Sequence, residues 1–303
     1  MQFVMDYLTD PGRPSLLKVA GQGSVYFVDS NGGGSATSGG RSPESAFTTL
    51  DAAIGACAAS KGDTIFIMPG HAENLTAADS VDADVAGIRI VGLGENALKP
   101  TFSMTAAAGA FKIDAANVYV KNIRLVANFA GGVTKAIDVT ADADGLTLDG
   151  IECRDTTTDK EFLIHVAVAT TVTDLHIKNC DFRGLGGTMS NSILFAGTST
   201  NTTIEDSFIH VDSSDDTIDH LAGAAVNCLI RRCTVVNEDT TTALYCIRHK
   251  SDGTGVCYDC NLAYNKIDAE VSLGAAAWWL RNQGCNTIAE GSIVEPAASH
   301  AIP

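Results

Sequence analysis

Three polar side chains stand at positions from which they could act together in acid–base chemistry. Asp114 lies in the segment FKIDA, Asp138 in AIDVT and His165 in LIHVAV, and each segment alternates apolar residues as a β-strand does. Paired carboxylates with a histidine nearby can move protons to and from a glycosidic bond during hydrolysis. If these strands are neighbours in one sheet, Asp114 stands beside an outward-facing column made of Lys112, Asp138, His165, Phe195 and Ala222. The preferred interpretation is that the chain has no catalytic residue, and Asp114, Asp138 and His165 are the catalytic candidates of the alternative, enzymatic interpretation.

Metal chemistry has weaker support. Asp142 and Asp144 in one turn, and the acidic run from Asp212 to Asp219, could offer oxygen ligands to Ca²⁺, but neither has the ligand spacing of an EF-hand loop. Solvated acidic turns are the simpler interpretation. Cys257 and Cys260 form a lone CxxC without a second pair at zinc-ligand spacing. We expect no cofactor and no bound metal, with Asp142 and Asp144 as weak calcium candidates.

A repeat positions these residues. The pattern apolar-x-apolar-x-x-apolar-x-apolar is first clear in NVYVKNIRL from Asn117, and it recurs every 26 to 30 residues. A second strand signal precedes each copy, and FKIDA, AIDVT and LIHVAV belong to that set. Three short strands per period, with no helix between them, predict a parallel β-solenoid in which each strand pairs with its equivalent one turn later. The copies are GIRIVGLG, NVYVKNIRL, GLTLDGIEC, DLHIKNCDF, TTIEDSFI, CLIRRCTV and GVCYDCNL.

Each copy breaks its alternation at a two-residue step, which we interpret as a tight corner. Asn, Gly and Asp tolerate a left-handed backbone at such corners, and Arg232 is the exception among the second corner residues. These residues are Asn122, Gly150, Asn179, Asp206, Arg232 and Asp259. The residues before them alternate in charge, which predicts ion pairs between adjacent turns, with a ligand groove as the alternative. They are Lys121, Asp149, Lys178, Glu205 and Arg231.

Cysteine and histidine positions are interpreted as structural. Cys180, Cys233 and Cys260 occupy the slot that isoleucine fills in other copies, so the thiols should be buried as small hydrophobic groups. Thiols without disulfides are typical of folding in a reducing compartment. The isolated histidines are interpreted as surface or corner residues. They are His71, His220 and His249.

The two ends of the repeat need caps. The segment TTLDAAIGACAAS has helical apolar spacing, and it predicts a helix that closes the first turn of the solenoid. Trp278 and Trp279 lie where the last turn must close, as a cap or subunit contact, or alternatively as a sugar-stacking platform. The predicted divisions are an arm at 1–24, an entry strand with Gly/Ser loop and capping helix at 25–61, a β-helix of about eight turns at 62–290 and a tail at 291–303.

Composition excludes some partners. The 303 residues carry a net charge of −16, which opposes binding to nucleic acid through phosphate neutralisation. No run of 18 apolar residues exists, so no membrane span is expected. The first residues lack a basic segment followed by an apolar core, so no secretion signal is predicted.

The segments VYFVDSNGGGS and SPESAFTTLDAAIGACAASKGDTIFIMPGHAENL, followed by GIRIVGLG and NVYVKNIRL, resemble the opening of the pectin-lyase-like right-handed parallel β-helix superfamily. The resemblance covers about residues 25–265. It implies an all-β, right-handed parallel β-helix, three strands per turn, with an N-terminal capping α-helix. That superfamily includes pectin-degrading enzymes, bacteriophage tailspikes and non-enzymatic phage virion proteins, so fold is implied more firmly than function.

The motifs that such enzymes carry around their catalytic residues are not found here, so the chain looks most like the non-enzymatic phage virion proteins. The resemblance then implies a capsid decoration or head or tail fibre-spike protein that docks through its N-terminal arm and assembles in the bacterial host cytoplasm. Its implied partners are itself, as a homotrimer, other virion proteins such as the major capsid or tail protein, and host surface glycans. The alternatives are a polysaccharide lyase or glycoside hydrolase acting on an acidic polysaccharide, and a glycan-binding module that contacts sugar through Trp278 or Tyr245.

Overall fold

The chain coils as an all-β parallel solenoid in which each turn adds one strand to each of three sheets. The computed structural model describes residues 23–32, 39–184, 186–220, 222–239, 245–249, 253–264, 271–272, 276–280 and 283–286. Every pairing between named strands in these ranges is parallel and joins strands one turn apart. The architecture is consistent with a right-handed parallel β-helix, and the predicted fold class is confirmed.

The three sheets have ten, nine and eight strands, and a small fourth sheet has three. The first sheet contains Val25–Val28, Thr64–Ile67, Arg89–Gly92, Tyr119–Lys121, Thr147–Asp149, His176–Lys178, Thr203–Glu205, Cys228–Arg231, Thr254–Tyr258 and Ala276–Leu280. The second contains Ala72–Leu75, Thr101–Met104, Arg124–Ala127, Glu152–Asp155, Asp181–Arg183, Phe208–Val211, Thr234–Asn237, Asn261–Tyr264 and Gln283–Asn286. The third contains Val81–Ala83, Phe111–Ile113, Ile137–Val139, Ile164–Val168, Asn191–Phe195, Ile218–His220, Ile247–His249 and Val271–Ser272. The small sheet contains Val172–Thr173, Ser199–Thr200 and Ala225–Val226.

The register of the first sheet follows the repeat. In one column of this sheet, one apolar residue per turn faces the core, and each stands opposite its equivalent in the next turn. Full burial of such a side chain contributes roughly 1.5–3 kcal/mol, so the stacked column holds adjacent turns in one register. The column runs Ile90, Val120, Leu148, Ile177, Ile204, Ile230 and Cys257, all at most 1 % exposed.

The predicted corners are confirmed by backbone angles. All six second corner residues have φ between 50° and 69°, and Arg232, the exception by residue type, has φ 51°. A second left-handed column, which the sequence pattern did not reveal, lies just before the strands of the first sheet. Its side chains are hydrogen-bonded along the solenoid axis: the Asn227 amide donates to Asn201 at 2.8 Å, and Asn201 donates to Asp174 at 3.0 Å. The members are Gly87, Asn117, Gly145, Asp174, Asn201 and Asn227.

A short helix, α1 (Leu50–Ile54), closes the N-terminal end of the core. The prediction of a longer helix was wrong, because α1 ends at Gly55 and the chain turns towards the strand Thr64–Ile67. Thr49 occupies the N-cap position without a side-chain hydrogen bond, and Glu73 accepts the Leu50 N–H instead at 2.9 Å. Two 3₁₀ turns, Pro43–Ser45 and Asn96–Leu98, complete the helical content of the described residues.

The interior is apolar and includes thiols. Eight of the nine cysteines, all except Cys285, have described side chains; none of these eight is in a disulfide, and seven of them are buried. Burial raises the pKa of the Cys228 thiol to about 12, so this thiol stays protonated in the core. In the part of the chain that the structure covers, no helix is long and apolar enough to cross a membrane.

The structure does not test the predictions about the two ends of the chain. Residues 1–22 and 287–303 lie outside the described residues, so the arm and the tail are untested. Trp278 and Trp279 fall in the strand Ala276–Leu280, which pairs with Thr254–Tyr258. Their side chains are outside the described part, and the choice between cap and sugar platform stays open as a prediction.

Candidate functional site

His165 does not stand in the outward column with Asp138. In the register of the third sheet, Asp138 lies between Lys112 and Ala167, so the predicted column Lys112, Asp138, His165, Phe195 and Ala222 is corrected. His165 is 0 % exposed, its ring centroid lies 5.4 Å from that of Phe182, and its Nδ1 lies 3.0 Å from Ser192 Oγ. The outward column continues instead through Leu194, Asp219 and Arg248.

A local break in strand pairing explains this correction. The N–H groups of Ser190 and Asn191 both donate to Leu163 O, and those of Ser192 and Ile193 both donate to Thr217 O. Two residues facing one is the arrangement of a β-bulge, which disrupts the alternation of inward and outward side chains. His165 consequently faces the core. The sequence of this strand, LIHVAV, has apolar residues on both faces and gave no signal of the bulge.

Asp114 and Asp138 each make separate structural contacts. The Asp114 carboxylate accepts a hydrogen bond from Thr140 Oγ1 at 2.5 Å and lies 2.9 Å from Lys112 Nζ. The hydrogen bond from Thr140, and then that from Lys112, lowers the pKa of Asp114. Asp138 pairs with Lys135 at 2.8 Å. A carboxyl group whose pKa is lowered is a poor general acid near neutral pH, so Asp114 is unsuited to that role.

His165 is equally unsuited to proton transfer with a substrate. Burial lowers its pKa to about 3, and Arg154 adds a smaller effect in the same direction. The imidazole is therefore neutral in ordinary conditions and has no solvent contact. The structure does not assemble Asp114, Asp138 and His165 into one site.

A different carboxylate group forms on the third sheet, within the acidic segment considered for calcium. Asp215, Asp216 and Asp219 each place one carboxylate oxygen within 4.8 Å of the others. Asp216 is fully buried; its Oδ2 accepts a hydrogen bond from Arg248 Nη1 at 2.9 Å, and its Oδ1 accepts the Tyr245 N–H at 2.8 Å. Arg248 stands opposite Asp219 in the next turn. The signal that could have found this group is the same alternation of charge between turns that was noticed in the first sheet.

Asp142 and Asp144 do not join a comparable group within the described residues. Both side chains are exposed, and Asp144 Oδ1 accepts the Thr173 N–H at 2.6 Å. This contact links two adjacent turns of the solenoid. The structure therefore assigns Asp144 a role in joining turns and brings no third acidic side chain to the pair.

The predicted charge alternation on the first sheet is confirmed at most of its positions. Asp149 Oδ2 lies 3.5 Å from Lys121 Nζ and 4.0 Å from Lys178 Nζ, and Glu205 Oε2 lies 2.5 Å from Arg231 Nη2. Burial alone would raise the pKa of Asp149, but hydrogen bonds from Asn179 and Tyr119 and the two lysines lower it below its usual value. The opposite charges therefore form ion pairs between adjacent turns, which is the structural role that the sequence predicted.

The histidines interpreted as surface or corner residues are buried, and that interpretation was wrong. His71 accepts the Ser30 N–H at Nδ1, 3.0 Å away. His220 stacks between Phe195, with ring centroids 3.8 Å apart, and His249, at 4.8 Å. Neither ring nitrogen of His220 has a hydrogen-bond partner among the described residues. Desolvation lowers the pKa of His220 well below its usual value and that of His249 to about 4.

Comparison with known proteins shows the fold of this chain but finds no matching sequence family. No protein-family model matches the chain, and no curated protein does. The pectin methylesterase of Aspergillus niger superposes with a TM-score of 0.53 at 14 % identity, covering 92 % of each chain. This likeness shows the fold, a parallel β-helix like that of the esterase.

Two further solved structures resemble this chain at lower TM-scores. A rhamnogalacturonan lyase has a TM-score of 0.46 and 15 % identity, covering 91 % of this chain, which spans 66 % of the lyase. ORF18 of Geobacillus virus E2 has a TM-score of 0.32 and 12 % identity, covering 80 % of this chain, which spans 59 % of the viral chain. At these identities the similarity concerns the backbone, and activity has to be argued from side chains.

The charged side chains of this parallel β-helix form two kinds of arrangement. In the first kind, opposite charges pair with one another. Lys121 and Asp149 pair between adjacent turns of the first sheet, whereas Asp114 and Asp138 each pair with a lysine close by in the sequence. In the second kind, the carboxylates of Asp215, Asp216 and Asp219 come together, and Asp216 accepts a hydrogen bond from Arg248. Among the described residues, this is the one set of three acidic groups whose carboxylate oxygens all lie within 4.8 Å of one another.

Proposed function

We propose that this protein is a structural component of a bacteriophage virion, either a capsid decoration protein or a head or tail fibre-spike subunit. In this proposal the β-helix is a scaffold and residues 1–24 are the docking arm. The observation that carries the proposal is the separation of Asp114, Asp138 and His165, each of which makes its own structural contacts. A scaffold requires such contacts, whereas an acid–base site requires the three groups to converge.

Two further features support a scaffold that folds inside a host cell. The outward charges of the first sheet pair between turns, which stiffens a rod without requiring a ligand. The buried cysteines without disulfides suit a reducing cytoplasm. The proposed partners are two further copies of this chain, in a homotrimer, together with the major capsid or tail protein, and host surface glycans where the subunit is a spike.

The experiment is quantitative mass spectrometry of gradient-purified phage particles. The full chain is compared with a chain that lacks residues 1–24, each supplied in the producing host. We expect the full chain in a fixed number of copies per particle and the truncated chain at background level. Light scattering of the purified full chain tests the trimer separately. Absence of the full chain from particles would contradict the virion role.

One observation favours a second function, the lyase or hydrolase acting on an acidic polysaccharide. Asp215, Asp216 and Asp219 meet Arg248 on the third sheet, and a guanidinium can bind a sugar carboxylate while carboxylates transfer protons. Turnover is measured as new reducing ends or unsaturated products from an acidic polysaccharide. Loss of turnover in Asp219→Asn, with turnover retained in Asp114→Asn, would support this function. Binding without turnover would support the glycan-binding module.

A further inference from the structure

Three cysteine side chains meet at the corner between the first and second sheets in the later turns. Cys257 belongs to the apolar column of the first sheet, and Cys260 follows the corner. Cys233 occupies the slot of Cys260 one turn earlier, because the strands that follow the two residues, Thr234–Asn237 and Asn261–Tyr264, pair in register. All three side chains are 1 % exposed. We call Cys233, Cys257 and Cys260 the thiol cluster.

The sulfur atoms of the thiol cluster contact one another. The Cys257 thiol donates a hydrogen bond to Cys260, with the two Sγ atoms 3.9 Å apart. The Cys233 thiol also hydrogen-bonds to Cys260. Cys260 therefore has one thiol neighbour across its own corner and another in the preceding turn.

Cys180 shows the same slot with different neighbours. Its Sγ donates to Lys178 O at 3.2 Å and to Leu148 O at 3.8 Å, and Ser207 takes the slot in the following turn. Cys180 and Cys260 are 2 % and 1 % exposed, so they are alike in burial and position within the turn. A difference in their chemistry would come from the side chains around them.

The corner favours a bond between two of these sulfurs. Cys257 and Cys260 flank Tyr258 and Asp259, and the left-handed backbone of Asp259, with φ 54°, bends the chain so that both cysteines face the core. Because a disulfide bond is about 2.05 Å long, the two Sγ atoms have to approach by roughly 2 Å. The hydrogen bond from Cys233, and then that from Cys257, lowers the pKa of Cys260, which favours the thiolate that attacks a disulfide.

We propose that Cys257 and Cys260 form a reversible oxidation site whose oxidant is a low-molecular-weight disulfide. The Cys260 thiolate attacks one sulfur of the small disulfide, and the first small thiolate leaves. Cys257 then gives up its proton and attacks Cys260 Sγ, and the second small thiolate leaves. Two protein thiols are thereby oxidised to one disulfide, while the small disulfide is reduced to two thiols that take up both protons.

The reaction requires the corner to open briefly, since both side chains are buried. The inference does not rest on the virion role, because it concerns a reaction of the purified chain by itself.

Mass spectrometry of the native full chain tests the site. The protein is incubated with oxidised glutathione, its remaining thiols are blocked with iodoacetamide, and it is digested with trypsin. Cys257 and Cys260 then lie together in the peptide 251–266, and Cys180 lies alone in 179–183. We expect 251–266 to lose two hydrogen atoms and to resist alkylation, at a rate at least tenfold above any modification of Cys180. Dithiothreitol should restore both thiols.

Three results would overturn the proposal. The first is alkylation of both cysteines in 251–266 under conditions that oxidise the same peptide in the urea-unfolded chain. The second is a cross-link between 251–266 and 233–248, which would make Cys233 the partner of Cys260. The third is equal modification of Cys180, which would place the reaction in unfolded molecules.

Two variants separate the steps. In Cys257→Ala the first step should still occur and link glutathione to Cys260, whereas in Cys260→Ala the modification of Cys257 should be at least tenfold slower. Cys180→Ala is the matched control and should leave the rate of disulfide formation unchanged. Equal modification of the two cluster variants would contradict attack by Cys260. The measurement on the unsubstituted chain decides the proposal even where a variant fails to fold.

Discussion

Arg232 shows how the solenoid imposes a conformation on a single residue. Its φ of 51° is that of the asparagines and glycines at equivalent corners, although an ordinary L-residue there costs roughly 1–2 kcal/mol. Its backbone N–H donates to Tyr258 O in the next turn at 3.2 Å, as at the other corners. Its guanidinium makes two hydrogen bonds of 2.6 Å to Asp206 and one of 3.0 Å to Glu205. The pairing of turns sets the corner, and the side chain adds contacts that offset part of the strain.

This account predicts opposite effects of glycine at two neighbouring positions. Arg232→Ala and Arg232→Gly both lose the ion pair, but only glycine relieves the left-handed strain. The glycine variant should therefore be the more stable of the two by about 1 kcal/mol. Denaturant unfolding followed by circular dichroism measures the difference.

Arg231 is the matched control for that prediction. It lies in the strand Cys228–Arg231, where glycine costs backbone entropy relative to alanine. Arg231→Gly should be less stable than Arg231→Ala by roughly 0.5–1 kcal/mol. The same ranking at both positions would show that the corner is not strained.

At the scale of elements, the charges of the first sheet act as links between turns. Asp149 is only 7 % exposed and receives hydrogen bonds from Tyr119 of the preceding turn, at 2.7 Å, and from Asn179 of the following turn, at 2.9 Å. One carboxylate thus joins three consecutive turns. Its environment is unlike that of an exposed ion pair, which contributes little because water and salt screen it.

Removing this carboxylate should have a measurable cost. Asp149→Ala removes a charged acceptor from the half-buried Tyr119 and from Asn179, and we expect a loss of about 1.5–3 kcal/mol in the free energy of unfolding, the range for hydrogen bonds to a charged group. Asp142→Ala is the control, since Asp142 is exposed and its loss should change stability by less than about 0.5 kcal/mol. Similar unfolding midpoints for the two variants would contradict a linking role.

The capping helix α1 allows a comparable test at the N-terminal end of the solenoid. Leu50 is 0 % exposed and packs in α1 against the core, so Leu50→Ala should cost about 2–5 kcal/mol. Because a solenoid turn contacts only its neighbours, the strand Thr64–Ile67 should lose protection first in hydrogen exchange. Leu98→Ala, at a site that is 55 % exposed, is the control. Uniform loss of protection along the chain would argue against a local cap.

The whole molecule carries a built-in sensitivity to acid. His165, His220 and His249 are held neutral in the core, with pKa values lowered by burial. In the unfolded chain a histidine binds a proton below about pH 6.5. Between that pH and the lower pKa of the folded state, the unfolded chain binds more protons, so stability falls as the pH falls. Above about pH 6.5 these groups contribute no pH dependence.

His220→Phe tests this account, since phenylalanine can continue the stack on Phe195. The variant should lose less stability than the wild type between pH 7 and pH 5, with a difference of up to about 2 kcal/mol. Denaturant unfolding at both pH values measures it, and His210→Gln, at a position that is only partly buried, should behave as the wild type does. An identical loss in His220→Phe would show that this histidine is not protonated on unfolding.

The sequence by itself determined the period, the corners and the register of the first sheet. Each depends on a pattern that is short in sequence and repeated in every turn, as in Val120 and Asn122. Parallel pairing between equivalent strands then follows, because any other register would place aliphatic residues outside. The thiols at Cys180 and Cys233 were predictable for the same reason, since they replace isoleucine in an inward slot.

Tertiary structure alone decided the candidate site. Whether His165 faced Asp138 or the core depended on bulges set by hydrogen bonds to Leu163 and Thr217, which one strand's sequence does not specify. The meeting of Asp216 with Arg248 likewise joins residues a full turn apart. Local alternation determines which side of a strand a residue faces only while the ladder is regular. Where the ladder is interrupted, as at His165 between the paired residues Ile164 and Val166, the neighbouring turns decide, and in this protein His165 lies in the core, away from Asp138.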